Sequence, residues 1–499
     1  MRKRRQWKKN LFPLQIDELE KIIKDKFDSN NDLLFSTFNI QGKNVAVFYI
    51  SYIVESQKLE SNLLDPLLSS KEPWTTEDIL NEIPLETGET YTSLEDILER
   101  VIHGSVFVYV EGEKEIVSYV LLKKDKRSLE KAETESLVLG PKISFTESII
   151  TNLNIVRWRI RSTDLVIEEF KVGKEIPRDV RLVYMKSAAN DDDVQTMRQR
   201  IKELDVDEIE DSVVLKQYLE DDQVNLFPQF ESTELPDKFT YAVTKGRLGV
   251  LVENSPTGII APANLFTFLE STEDLYMRWH AGSFLRLIRM FAMFLSVVIT
   301  PLYVAVISFQ YDIIPTKLLI TIGQSRARVP FSPILEALLL EFLIELLREA
   351  GARLPTKVGQ TMGIVGGIVI GQAAVEAGIT SNILLIVVAM SALASFTVPS
   401  YLLGTTVRLI RMPLIIMAGV FGLFGIMFSI CFFVIHLLRL TSLGRPFLIP
   451  LYPLRLQDFN KIFFRTPFKF DSKRTKSYQP KNLIRYSKKD ASEKRDIDE

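Results

Sequence analysis

The chain has 499 residues, 46% hydrophobic and 25% charged, with a formal net charge of −2. Its one cysteine, Cys431, excludes a disulfide framework within the chain, and its three scattered histidines offer no zinc-type spacing. The near-neutral total hides an acidic stretch at 191–222 and basic ones at 1–9 and 455–495, so net charge says nothing about partners.

The first residues, MRKRRQWKKN, are basic, and no apolar stretch of signal-peptide length follows. Residues 1–32 read as a basic tail and the soluble part as cytosolic. The tail is either solvated or in contact with anionic lipid headgroups.

Residues 33–140 read as a first α/β subdomain. NVAVFYISYIV (44–54) is β-branched and aromatic, as a buried strand should be. Residues 75–102 have helical spacing, with Thr76 or Ser93 as N-caps. SVFVYVEGEKEIVSYVLL (105–122) reads as two strands around a turn at Glu111-Gly112.

Residues 141–278 repeat this plan as a second subdomain. RLVYMK (181–186) matches the first strand, and 191–204 is a helix with acids early and bases late, which suits its dipole. GRLGVLVENSPTGIIAP (246–262) is again strand, turn, strand. Gly104 and Gly246 open the two hairpins, and Glu111-Gly112 aligns with Glu253-Asn254.

Residues 279–455 read as a helical membrane domain. Met290–Tyr311, Val358–Val375, Ser381–Val407 and Met412–His436 are apolar runs of membrane-crossing character. Pro333–Ala350 is also helical, but Glu341, Glu345 and Glu349 form an acidic stripe along it. Its apolar residues gain about 0.5 kcal/mol each, while each buried carboxylate costs about 2.5 to 3.5 kcal/mol. A lipid-exposed position is therefore disfavoured. The helix must lie at the interface, re-enter, or turn its acids toward a protein or water-filled interior, which leaves four or five spans. A basic tail over 456–499 favours both chain ends on the cytosolic side.

Two features of this region bear on function. Gly359, Gly363, Gly367 and Gly371 recur every fourth residue, a face that lets helix backbones approach closely. It serves packing within one subunit or a symmetry axis between several. Gln360, Gln372 and Glu376 share that helix or its ends, and they either face a water path or bridge helices. In an oligomer Glu341 and Glu345 could form carboxylate rings that attract cations; in a monomer they could simply face water. There is no phosphate loop, nucleophile elbow or metal motif, so neither enzyme activity nor a cofactor is expected.

Residues 329–401, VPFSPILEALLLEFLIELLREAGARLPTKVGQTMGIVGGIVIGQAAVEAGITSNILLIVVAMSALASFTVPSY, resemble the A subunit of the spore germination receptor GerA family. So do residues 302–319, 145–165 and 250–279, and the resemblance spans roughly 33–455. Leu235, where the family usually has Arg, and Ser144, where Gly is usual, depart from it. The resemblance implies an inner-membrane protein of dormant endospores that works with a transporter-like B subunit and a lipoprotein C subunit. It also implies a homo-oligomer in membrane lipid, a nutrient-triggered release of ions and no nucleic-acid partner.

Overall fold

The computed structural model describes residues 13–27, 32–85, 88–122, 135, 139–353, 367, 369, 371–467 and 470–486. Gly359, Gly363 and Gln360 lie outside them.

The head holds two five-stranded antiparallel sheets of identical strand order. The first runs β1 (Leu33–Ile40), β2 (Lys43–Ile50), β4 (Ser105–Val110), β5 (Ile116–Val120), β3 (Glu89–Tyr91). The second runs β6 (Leu165–Val172), β7 (Arg178–Met185), β9 (Leu248–Val252), β10 (Gly258–Ala261), β8 (Glu231–Thr233). The aligned turn residues share a backbone state: Gly104 and Gly246 have φ of 84° and 97°, Gly112 and Asn254 have 90° and 58°.

Strand alternation sorts each sheet's side chains onto two faces. In β2, Val45 and Val47 pack beneath Leu59, Leu63, Leu67 and Ile79. Ala46, Phe48 and Ile50 point the other way, into a core shared with Ile167, Val183 and Leu251 of the second sheet. The Ile149–Arg159 helix supplies Leu153 and Val156 to that core. The outer face of the second sheet is covered by Asp191–Glu203 and Ser212–Leu219.

Three local readings are revised. The cap of the Thr76–Glu82 helix is Thr75, in a reciprocal capping box with Asp78. Residues 16–26 are no tail but a helix that buries Ile16, Leu19 and Ile23. Past residue 455, Leu456–Phe463 is helical, and Asp471 binds Lys245 at 3.0 Å, so this segment is docked on the head.

Among the described residues, two helices, Trp279–Ser308 and Tyr401–Arg439, are long and apolar enough to cross a membrane. The first starts at the head, where Arg286 donates to the Lys461 carbonyl at 2.8 Å. It ends near Gln310, whose side chain accepts from the Leu423 amide at 3.4 Å. The second is folded back on itself. Thr406 donates to the Leu226 carbonyl at 2.8 Å, and His436 lies 3.1 Å from the side chain of the adjacent Asn225. A straight helix would hold residues 406 and 436 about 45 Å apart. The reversal is at Gly422, with φ 61° and ψ −141°, a conformation open essentially to glycine alone. The chain therefore leaves the head along 401–421 and returns along 423–439. The head and the docked C-terminal segment end on one side of the bundle.

The breaks thus differ from the hydropathy reading of Ser381–Val407 and Met412–His436. One falls between Asn382–Ser395 and Tyr401–Arg439, where Pro399 disfavours helix before it and Ser400 caps the next turn by accepting from Leu403 N at 3.4 Å. The other is Gly422. Arg408 and Arg411, which mark an apparent loop in the sequence, lie inside a helix.

Candidate functional site

Pro333–Arg353 runs antiparallel to the outbound limb 401–421. Near its start, Ile334 sits so close to Gly419 that a Cβ there would be 2.5 Å from Ile334 Cδ1. Further along, Arg411 Nη1 reaches both Glu341 oxygens at 3.0 Å. Both side chains are 2% exposed. Thr300 donates to Glu341 at 3.2 Å, and Arg411 Nη1 donates to Ser391 at 2.6 Å. Ser391 in turn donates to the Ser296 carbonyl at 2.9 Å. One charge-neutral network thereby joins Trp279–Ser308, Pro333–Arg353, Asn382–Ser395 and the outbound limb.

Either charge alone at this depth would cost several kcal/mol. Their pairing, with donors on the spare lone pairs, allows four helices to meet around polar groups. Glu336 repeats the arrangement at the end away from the head. It forms an ion pair with Arg326 at 3.0 Å and accepts from Thr380 at 3.0 Å and from the Ser381 amide at 2.6 Å.

The acidic stripe is therefore graded. Side-chain exposure rises from 2% at Glu341 to 34% at Glu345 and 63% at Glu349. Glu345 pairs with Arg348 at 3.0 Å and Arg408 at 3.4 Å, and Glu349 with Arg353 at 2.6 Å. The helix thus turns Glu336 and Glu341 inward, where Arg326 and Arg411 meet them, and leaves Glu349 exposed.

The described part of the glycine segment is divided. A Cβ at Gly371 would touch Leu385 at 3.6 Å, but one at Gly367 would meet nothing within 4 Å among the described residues. Gln372 donates to Glu376 at 3.0 Å, and both are exposed. The fold brings Glu341 and Glu345 together; Gln372 and Glu376 form a separate pair.

Arg411, Ser391, Thr300 and Gly422 escaped the sequence reading. A usable clue was present: Arg408 and Arg411 are the only charged residues between 382 and 435, so an acidic partner had to exist. Leu235 and Ser144, where the sequence departs from the GerA pattern, are both buried inside the head.

A second polar cluster ties head to bundle. Asp274, 1% exposed, accepts from Arg286 at 3.3 Å through two nitrogens and also binds Arg289. The returning limb is held by Asp221, which binds Arg200 at 2.7 Å and accepts from the Leu443 and Gly444 amides at 3.0 and 2.9 Å. Burial pushes the Asp221 carboxyl up. Donors from Thr441, Gly444 and Arg200 outweigh burial and leave it below the usual aspartate value.

An antiparallel α/β head is thus fixed by arginine clamps to a helical bundle that includes two helices long and apolar enough to cross a membrane. The chain belongs to the GerA family: residues 21–477 match the family described as Bacillus/Clostridium GerA spore germination protein. It is 41% identical over 436 residues to spore germination protein GerQA of Bacillus cereus, covering 87% of each chain. It is 35% identical over 450 residues to spore germination protein A1 of Bacillus subtilis (strain 168), covering 90% of this chain and 93% of that one. The crystal structure of the N-terminal domain of the A subunit of the Bacillus megaterium spore germinant receptor GerK3 aligns at 27% identity and TM-score 0.38. That alignment covers 51% of this chain and 96% of the other.

Proposed function

We propose that this chain is the membrane subunit of a nutrient-responsive receptor that triggers spore germination. In this reading it lies in the inner membrane of the endospore with its head in the cytosol. A transporter-like B subunit takes the nutrient, and a lipoprotein C subunit completes the complex. Copies of the chain meet along the glycine face of residues 359–371. Differential binding by the partner shifts a closed–open equilibrium, and monovalent cations pass.

The observation that supports this reading is at Gly367, where an added Cβ would meet nothing within 4 Å among the described residues, while one at Gly371 would touch Leu385. A bare helix face of this kind suits a second helix in lipid. Gln360, Gln372, Glu376 and Glu345 are then assigned to the permeation path. Glu341 joins it only when Arg411 releases it. No catalytic step is assigned.

Gly367→Leu tests the reading. It should leave the single chain folded but abolish crosslinked oligomers and cation flux from liposomes carrying the assembled receptor. Unchanged flux and crosslinking would overturn it. An alternative, a non-conducting subunit that relays a signal through the head, draws support from the Arg286–Asp274 clamp. That alternative holds if the reconstituted assembly responds to nutrient without passing ions.

A further inference from the structure

A cavity of about 140 Å³ lies where the second half of the head, the start of Trp279–Ser308 and the docked C-terminal segment meet. Sites for organic metabolites usually run to roughly 300 Å³ or more, but this space has room for a small ion with water. Its lysines and arginines outnumber its carboxylates. Two of those carboxylates are fully committed. Asp458 accepts from the Lys476 and Ser477 amides at 3.2 and 2.8 Å and from the Ser477 hydroxyl at 2.8 Å. Glu231 lies 2.9 Å from both Lys238 and Arg247.

Asp471 is outnumbered. Lys245 at 3.0 Å, Lys461 at 2.8 Å and Arg485 at 2.5 Å converge on this one carboxylate, and both lysines line the cavity. Burial pushes the Lys245 ammonium below its usual value, and Asp471 does not restore it. Tyr241, Thr466 and Thr475 line the same space, and their hydroxyls make no hydrogen bond among the described residues. Surplus positive charge beside spare hydroxyl donors suits an oxyanion, whose charge strengthens each hydrogen bond it accepts. The donors come from separate elements, so they match a tetrahedral group with several acceptor oxygens better than a flat carboxylate.

We propose that this junction cavity binds a phosphate group, either free or carried by a lipid headgroup. It lies against Lys245 and Lys461, with the hydroxyls of Tyr241, Thr466 and Thr475 as neutral donors. Occupancy supplies counter-charge where three parts of the chain meet, and so tightens the docking of the C-terminal segment on the head.

The test is calorimetric titration of the full chain, in lipid-free detergent, with inorganic phosphate at ionic strength held constant with chloride. Replacing Lys245 or Lys461 would loosen the Asp471 cluster, so the variant removes hydroxyls only: Tyr241→Phe with Thr466→Val and Thr475→Val. The expected result is saturable binding that this variant weakens roughly tenfold or more, at an unchanged unfolding temperature. Lys481→Gln, on the docked segment but outside the cavity, should leave binding intact. Nanodiscs then separate the two sources. If phosphatidylglycerol abolishes the phosphate titration seen in phosphatidylcholine, the headgroup is the ligand; equal titrations in both assign free phosphate. The proposal is overturned if phosphate gives no saturable binding in detergent, if chloride alone reproduces the heat, or if the hydroxyl variant binds as tightly as the parent chain.

Discussion

Arg411 Nη1 and the Glu341 carboxylate meet at 3.0 Å with both side chains almost fully enclosed by apolar helices. The pair neutralises one of the acids that make Pro333–Arg353 costly in a bilayer, and the arginine that interrupts the apolar run of 401–421. Each of these two segments is tolerable only because the other exists.

Breaking this pair from one side should be worse than removing it. Glu341→Leu or Arg411→Met alone should cost about 3–5 kcal/mol, because the remaining charge stays buried without its partner. The double variant should recover most of that loss. Unfolding of the four proteins in detergent measures the coupling, and simple additivity would count against the pairing.

Gly422 should resist substitution. Its φ of 61° disfavours any side chain, and a Cβ would fall 2.8 Å from the Gln310 amide group. Gly422→Ala should cost about 1–3 kcal/mol from backbone strain alone, and Gly422→Val more. Gln310→Ala in the same background should relieve the steric part only. Thermal unfolding of the detergent-solubilised variants separates the two contributions.

The helical hairpin fixes which ends share a side. In a Cys431→Ser background, cysteines placed at Lys317 and Lys481 should label from opposite faces of a sealed vesicle. Lys481 lies on the docked segment, 2.6 Å from Asp191 of the head. Lys317 lies on Thr316–Arg326, whose Arg326 binds Glu336 at the far end. Labelling of both sites from one face would contradict the folded-back reading of Tyr401–Arg439.

Docking of the returning limb should weaken in acid. The Asp221 carboxyl lies below its ordinary value of 3.8 in the folded chain, so the unfolded chain takes up the proton first. Its contribution is full above about pH 4 and is lost as pH falls through the lower folded value. Asp471, depressed by Lys245 and Lys461 against the opposing effect of burial, adds the same sign. Asp221→Asn should lower stability near neutrality and flatten this part of the acid limb, read by unfolding at stepped pH.

Much of the head was legible because its strands are local patterns. Runs such as 105–122 alternate and turn within a few residues, and helix 191–203 carries its own Asn190 cap and dipole-matched ends. Strands β1 and β6 left a weaker trace, since as sheet-edge strands they expose residues such as Ser36 and Glu169 and lack a continuous apolar run.

Composition and spacing alone determined that a soluble α/β head is followed by apolar helices, that no disulfide can form within the chain, and that the acids of 333–353 must be sheltered from lipid. Those conclusions rest on transfer energies and periodicity, which are properties of contiguous residues. Only the tertiary structure decided that Arg411 shelters Glu341, that Gly422 reverses the last apolar stretch, and that residues past 455 return to the head. Each of those depends on partners up to hundreds of positions apart, and a burial cost shows that a partner is needed without saying which one supplies it.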